Sequence, residues 1–233
     1  MVDYRVETPT ARTVVLDVPG WPGHLPGQHV DVRLTAEDGY STQRSYTIAA
    51  PADGDRVELT VQRVTNGEAS PYLTEVLSIG HPVEIRSPVG GWFVWHPTDT
   101  QPVLLVAGGS GIVPLIAMIR ARRAAAARVP FRLVYWVRAP DEQYCAAELR
   151  SLGRAGDSLD VAYNTRAAPE GWPRPPGRIG ADDLTAHGWR ADVAPSCFVC
   201  GPTGFVEAVA NILIDLGHDP RRINTERFGP TGG

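Results

Sequence analysis

Arg44, Ser45, Tyr46 and Thr47 stand in a row at the end of a strand-like segment, and their types suit one kind of chemistry. A guanidinium offers a fixed fork of donors that matches a diphosphate. A tyrosine offers a flat, half-polar face on which a ring system can stack. A threonine hydroxyl is short enough to reach a ring nitrogen. Together the four could grip a flavin. Taken alone the pattern is weak, because an exposed strand can carry it by chance, so its weight depends on what else the chain supplies.

A second run, Gly108-Gly109-Ser110-Gly111-Ile112-Val113-Pro114, follows the apolar stretch 103–107 and opens another at 115–119. Strand, glycine turn and helix start is the arrangement that lays a pyrophosphate on free backbone N–H groups. Pro114 stands where a third small residue is expected, and proline is tolerated in a first helical turn. A third run, Cys200-Gly201-Pro202, ends the strand-like segment 197–199 and precedes a helical stretch over 203–216. The chain then reaches Glu226-Arg227-Phe228-Gly229.

With Gly67-Glu68-Ala69-Ser70 between the first two runs, the chain carries Arg-x-Tyr-Thr, Gly-x-x-Ser, Gly-Gly-x-Gly-x-x-Pro and Cys-Gly-Pro in that order. The ordered set resembles the ferredoxin–NADP reductase superfamily over nearly the whole chain. The resemblance implies an antiparallel β-barrel that binds FAD, followed by an α/β parallel-sheet domain that binds NAD(P)H. It implies that Arg44 pairs with the FAD diphosphate, that Tyr46 packs along the flavin or its ribityl chain, and that Thr47 bonds near the flavin N5. Ser45 completes that cofactor-binding run. Gly67, Glu68, Ala69 and Ser70 resemble the second diphosphate loop, with Ser70 as N-cap and Pro71 as the first helical residue; a plain N-cap is the other reading. Gly109, Gly111, Ile112 and Pro114, with Gly201 and Pro202, would hold the nicotinamide dinucleotide.

Cys200 and Glu226 match family positions near the nicotinamide and the flavin N5, so Thr47, Cys200 and Glu226 are the catalytic candidates. From the residues alone, Cys200 reads equally as a buried small hydrophobe and Glu226 as a surface ion-pair partner. Phe228 falls near the family's C-terminal aromatic over the flavin face, although this chain runs five residues further. The segments 26–30 and 87–93 resemble family turns, and His29 is read as structural. For the coenzyme, an acid is expected about 20 residues past the glycines to hold a ribose 2′-hydroxyl. Arg138 stands there instead, and Thr165-Arg166 resembles the family's pair for a 2′-phosphate. NADPH is therefore expected, while Asp141 and Glu142 keep NADH open.

Composition narrows the classes. The 233 residues are 43% hydrophobic and 21% charged, and all 22 basic residues are arginine. The absence of lysine excludes a phosphate-loop lysine and Schiff-base chemistry. Three cysteines, Cys145, Cys197 and Cys200, cannot supply the thiolates of a plant-type iron–sulfur cluster. Cys197 and Cys200 have redox-pair spacing, but on a strand i and i+3 face opposite ways. Residues 1–100 carry 7 Arg against 13 acids, and residues 101–233 carry 15 against 13. The more basic half is the one with the glycine loop, as an anionic dinucleotide prefers. The arginines of 120–128 read as a solvated helix end, not a nucleic-acid patch. No apolar run approaches the roughly 20 residues of a membrane helix, and the N-terminus lacks a signal-peptide pattern, so a cytoplasmic protein is expected.

The elements that must carry these residues divide in kind. Short strand signals at 13–18, 28–34, 56–61 and 83–85 predict an antiparallel barrel or sandwich, interrupted by one helix after Ser70. The stretch 95–102 is the expected boundary, giving domains 1–99 and 100–233. Beyond it strands at 103–107, 131–137, 159–164, 197–201 and 223–227 alternate with helices at 113–127, 141–152, 182–187 and 203–216, the pattern of a parallel sheet covered on both faces. The stretch 168–177 reads as a surface loop. The combined expectation is a flavin-dependent NAD(P)H oxidoreductase that passes electrons to a separate acceptor (a ferredoxin, an oxygenase or a haem protein). A free-flavin reductase and a non-catalytic flavin- or nucleotide-binding module are the alternatives.

Overall fold

The computed structural model describes residues 1–36, 38–154, 159–165 and 177–229. The first unit is antiparallel. Strands β1 (Asp3–Thr8), β2 (Ala11–Asp17) and β5 (Arg56–Gln62) form one sheet, and β3 (His29–Thr35), β4 (Ser41–Thr47) and β6 (Glu84–Ile85) form the other in the order β4-β3-β6. A bridge between Ile48 and Leu59 joins them and curls the pair toward a barrel. Alternation decides which side chains fill it. Val57, Leu59 and Val61 on β5 and Val30 and Val32 on β3 are wholly buried, and with Ile48, Leu73 and Leu77 they make the barrel core. Each such side chain contributes about 1.5–3 kcal/mol by leaving water.

A helical segment crosses the open end of this barrel. It begins as α1 (Ala69–Pro71) and widens into a π-helical turn over Tyr72–Val76. The helix thus starts a residue before the expected cap. Glu68 holds the N-cap position without a side-chain bond, and Ser70 is buried within the first turn, its Oγ accepting from the N–H of Val64 at 3.0 Å. Closing the 64–70 turn uses the hydroxyl that was expected to cap.

The second unit is a five-stranded parallel sheet of β7 (Val103–Gly108), β8 (Phe131–Val137), β9 (Leu159–Thr165), β10 (Ser196–Pro202) and β11 (Ile223–Phe228), in the order β11-β10-β7-β8-β9. Helices α2 (Ile112–Ala124) and α3 (Ala146–Arg154) pack on one face, and α4 (Ala181–His187) and α5 (Thr203–Asp215) on the other. That is why β7 reads as an unbroken apolar run and β8 as one broken only by Arg132: both faces are covered. Cys200 packs on the α2 face and Cys197 on the α5 face, so the pair does not meet. The order reverses at β7, whose neighbours β8 and β10 lead away in opposite directions, and the crevice at such a reversal is where open α/β sheets bind ligands.

The two units share one core. Ala11, Ala49, Phe93 and Trp95 lie in the same apolar cluster as α2 and β8. Trp95 is wholly buried and meets the Phe131 ring edge-on at 5.2 Å; Phe93 meets Phe198 likewise at 5.4 Å. The stretch expected to separate the units therefore opens on an anchoring aromatic, Trp95, with Phe93 just before it. No helix among the described residues is long and apolar enough to cross a membrane.

Candidate active site

A cavity of about 170 Å³ lies where the two units meet, and it gathers the three catalytic candidates, Thr47, Cys200 and Glu226, with Ser45, Pro114 and Phe228 of the other site residues named from the sequence. From the barrel come His29, Ser45 and Thr47; from the glycine loop Ser110 and Pro114; from the ends of β10 and β11 Cys200, Glu226, Arg227 and Phe228. Register explains the grouping. His29 pairs with Thr47 across the β3–β4 ladder, and Asp31 with Ser45, so these side chains share one face while Val30, Val32, Arg44 and Tyr46 take the other. Cys200 pairs with Glu226 across β10 and β11, which brings thiol and carboxyl side by side. His29, read from the sequence as structural, thus lines the cavity. Its alternation with the inward Val30 was the available signal. Ser110 and Arg227 stand within the glycine-loop and C-terminal runs and also line the cavity, although the sequence assigned them no role.

Glycines set the shape of the walls. Gly109 has φ +54°, and a Cβ on Gly111 would stand 2.1 Å from the Cys200 carbonyl oxygen. Gly108 and Gly201 each lie against the Phe205 ring, where a Cβ would come within 2.8 Å. After the glycines α2 begins with no side-chain cap; the Ile112 N–H donates back to the Gly109 and Ser110 carbonyls, and Pro114 has no N–H. Ile112 and Pro114 are buried in that first turn, and Pro202 holds the N-cap position of α5.

Burial controls the protonation of the two groups at the back. Glu226 Oε2 is buried without a hydrogen-bond partner, and desolvation pushes its carboxyl up to about 7. Desolvation also pushes the Cys200 thiol well above its usual range, and the neighbouring Glu226 adds to this. Cys200 is therefore a neutral thiol, not a thiolate nucleophile. Glu226 can hold or release a proton near neutral pH, the property of a general acid–base group.

Arg44 and Tyr46 lie on the other face of β4. Arg44 is exposed, donates to the Gln43 carbonyl at 2.7 Å and sits 3.7 Å from Glu68, so the Arg44 run and the 67–70 segment do meet. So exposed a pair holds the guanidinium weakly, leaving it available to a stronger anion. Glu68 also accepts from the Tyr40 hydroxyl at 3.1 Å. Its carboxylate competes with a diphosphate, so any help from this residue must come from its backbone. Tyr46 packs half-buried against the barrel core, and burial pushes its phenol up to about 12. Ser45 donates to Asp31 at 2.6 Å and is already engaged. A cleft of about 540 Å³ beside Glu68, lined by Tyr40, Tyr72, Leu34 and Val83, continues from this point. These features fit a flavin dinucleotide: a cavity, an exposed and weakly held guanidinium, and a further cleft beyond it.

At the sheet's C-terminal edge Arg138 is exposed and 3.9 Å from Glu142, while Thr165 ends β9 paired with Val137. Arg166 and most of 168–177 lie outside the described residues. A groove of about 620 Å³ between β1 and residues 74–79 is larger, but it holds none of the predicted site residues.

Both units are similar to known proteins. Residues 8–94 match the oxidoreductase FAD-binding domain and residues 105–211 the oxidoreductase NAD-binding domain. The chain is 30% identical over 211 residues to the ferredoxin–NAD(P)(+) reductase component of naphthalene 1,2-dioxygenase/salicylate 5-hydroxylase systems from Ralstonia sp, a match over 89% of this chain and 61% of the relative. It is 33% identical over 220 residues to the aromatic O-demethylase reductase subunit from Amycolatopsis sp., over 88% of this chain and 60% of the relative. The chain thus spans about three fifths of the length of these curated relatives. In fold it resembles the flavohem-like FAD/NAD binding domain of nitric oxide dioxygenase from Vibrio cholerae, with TM-score 0.85, 24% identity, and coverage of 98% of this chain and 96% of that one.

Proposed function

The chain belongs to the ferredoxin–NADP reductase superfamily, and on that premise we propose that it is the FAD-bearing reductase of an electron-transfer chain. It takes a hydride from NAD(P)H and passes electrons to a separate acceptor. The observation that carries this is the cavity in which Thr47 of the barrel faces Pro114, Cys200 and Glu226 of the parallel sheet. Hydride transfer needs two flat rings held face to face, and the protein's work is to position them.

A bound flavin would supply the conversion of a two-electron donor into single electrons. Around it Arg44 and the 67–70 backbone hold the diphosphate, and Tyr46 supports the ring side. The cleft between Tyr40 and Tyr72 receives the adenosine half. Thr47 offers its hydroxyl toward N5. Pro114, Gly201 and Pro202 shape the nicotinamide's approach, and Phe228 covers the ring face until the coenzyme enters. Cys200 gives a neutral, compact wall, and Glu226 moves a proton. NADPH is the proposed coenzyme, through Arg138, Thr165 and Arg166, with NADH as the second choice. Arg138 has Glu142 nearby, which keeps this preference modest. We place the division between units at 99/100, and the protein in the cytoplasm, free of membrane and nucleic acid. The acceptor is a ferredoxin, an oxygenase or a haem protein.

Anaerobic titration tests the reading. The purified protein should be yellow, retain about one FAD per chain through gel filtration, and bleach with NADPH. FAD lost on the column but reduced in turnover would favour the free-flavin reductase. FAD that stays bound and is reduced by neither coenzyme would leave only a binding module.

A further inference from the structure

Resting on the reading just given, we propose that Arg120 is a positioning residue that fixes the nicotinamide-binding loop against the flavin-bearing strand. Arg120 belongs to α2, the helix that opens with the glycine loop and Pro114. It lies six residues beyond Pro114, about 9 Å along the helix axis. Its Nη1 donates across the unit boundary to the carbonyl of Ala49 at 2.7 Å. Ala49 is wholly buried and stands two residues past Thr47. It is itself pinned to β5, its N–H donating to the Glu58 carbonyl at 2.8 Å. Nε and Nη2 of the same guanidinium grip both carboxylate oxygens of Glu148 on α3, at 3.0 and 2.5 Å.

One planar fork thus joins three elements: the helix of the glycine loop, its neighbour α3, and the chain leaving the Arg44–Thr47 run. The guanidinium side chain is 19% exposed, so water screens these bonds little. A second tie runs beside it. The Cys145 N–H donates to Glu7 of β1 at 3.1 Å, and Cys145 takes the left-handed conformation at φ +54° to do so.

The apolar joint of Trp95 on Phe131 and Phe93 on Phe198 already holds the units together. Hydrophobic contact is non-directional. It supplies adhesion and leaves the register of Pro114 against Thr47 loosely determined. The hydrogen bond to Ala49 is directional and lies on the same two segments, so it sets that register. Lysine cannot replace it, because one ammonium does not reproduce a bidentate grip plus a third bond.

The test uses FAD-loaded protein and anaerobic stopped-flow reduction by NADPH, with NADH in parallel, for Arg120→Met, Arg120→Lys and Glu148→Gln. Each variant should keep its FAD and bind coenzyme with Kd within about threefold of wild type. The limiting rate of flavin reduction should fall about 10- to 100-fold in both Arg120 variants, the scale of an ångström-sized misalignment. Glu148→Gln should show a smaller fall in the same rate. The long-wavelength charge-transfer absorbance of the coenzyme–flavin complex should weaken in parallel, a signature that lost stability alone does not produce. A folded Arg120→Met protein with wild-type limiting rate and full charge-transfer absorbance would overturn the proposal. Should that variant fail to fold, unchanged rates in both Arg120→Lys and Glu148→Gln would overturn it equally. Wild-type protein that retains no FAD, or is reduced by neither coenzyme, would instead overturn the underlying reading.

Discussion

Replacing Glu226 by glutamine should make the protein more stable and less active, and the stability gain should depend on pH. The Glu226 carboxyl is raised from 4.5 to about 7 by burial, with one oxygen lacking any hydrogen-bond partner. A carboxyl raised in the folded state is held protonated there after the unfolded chain has released its proton. Folding is therefore unaffected by this group below about pH 4.5, loses stability as pH rises from 4.5 to 7, and carries the full cost above 7. At about 1.36 kcal/mol for each pKa unit, the full cost is about 3 kcal/mol, an upper bound because Glu226 keeps some contact with water.

Glutamine keeps the shape and cannot ionise, so it removes this pH-dependent cost. Any cost of its own amide is the same at every pH. About 1 kcal/mol of the cost is already present at pH 5.5, so the gap in Tm between Glu226→Gln and wild type should widen by about 2 kcal/mol from pH 5.5 to pH 8, or up to about 4–8 °C at the usual 2–4 °C per kcal/mol for a chain of this size. The assay is thermal unfolding of FAD-loaded protein at both values, with stopped-flow flavin reduction alongside. The reduction step should slow about 10²-fold or more in the variant, the contribution of a placed acid–base group. A Tm gap that stays constant between the two pH values would refute the claim that Glu226 titrates in a desolvated site.

Arg44→Ala should weaken FAD retention by roughly 2–4 kcal/mol, since a diphosphate would lose its charged fork; unchanged FAD content after dialysis would remove Arg44 from that role. Gly111→Ala should destabilise the fold by about 1–3 kcal/mol or more, because its Cβ would stand 2.1 Å from the Cys200 carbonyl oxygen and backbone cannot yield as a side chain does; a wild-type Tm would contradict this. Arg166→Ala should raise KM for NADPH and leave NADH little changed, because only NADPH carries the 2′-phosphate that a guanidinium clamps; a wild-type kcat/KM already favouring NADH would reverse the coenzyme assignment. Reduction of the acceptor should slow as salt rises, because the first hundred residues carry 7 Arg against 13 acids and attract a basic face. Of Arg33, Arg63 and Arg86, the candidates for an offsetting local patch, Arg63 and Arg33 stand 2.7 and 3.9 Å from Glu75 and Glu84. A rate that rises with salt would indicate a like-charged partner.

The parallel sheet was legible because its chemistry is monotonous. Val103, Leu104, Leu105 and Val106 are apolar without alternation, and that happens where helices cover both faces. The barrel strand β1 was not legible. Its polar and apolar residues alternate, but Tyr4 and Val6 on the apolar side are exposed while Glu7 is spent on Thr13 and Cys145, so the alternation marks no buried face. The helix expected over 141–152 is split into a 3₁₀ turn at Pro140–Glu142 and α3 from Ala146. The break is at Cys145, whose left-handed backbone is held by a glutamate 138 positions away, and no local pattern announces such a contact. The candidate site was legible as a set of types and became a place only through register. Thr47 meets Cys200 and Glu226 because β4 ends where β10 and β11 end. His29 joins them because the β3–β4 pairing gives it the same face as Thr47.

That convergence depends on contacts which look like packing and act on chemistry. Gly111 lies so close to β10 that its missing side chain lets the glycine loop rest on the Cys200 carbonyl. The loop that would carry the pyrophosphate and the strand that ends in the neutral thiol are therefore one mechanical piece, and Glu226 is fixed to it through its ladder with Cys200. Across the boundary, Arg44, Tyr46 and Thr47 ride on a strand whose exit is held at Ala49 by Arg120. The relative placement of the two halves rests on the shared aromatic core, on that fork and on the Cys145–Glu7 tie beside it. Glu226 Oε2 has no partner inside either half. Burying a carboxyl unpaired costs stability, and a fold selected for stability alone would have paired it or replaced it. An unpaired carboxyl at the seam where both halves meet fits the proposed role of Glu226 in moving a proton.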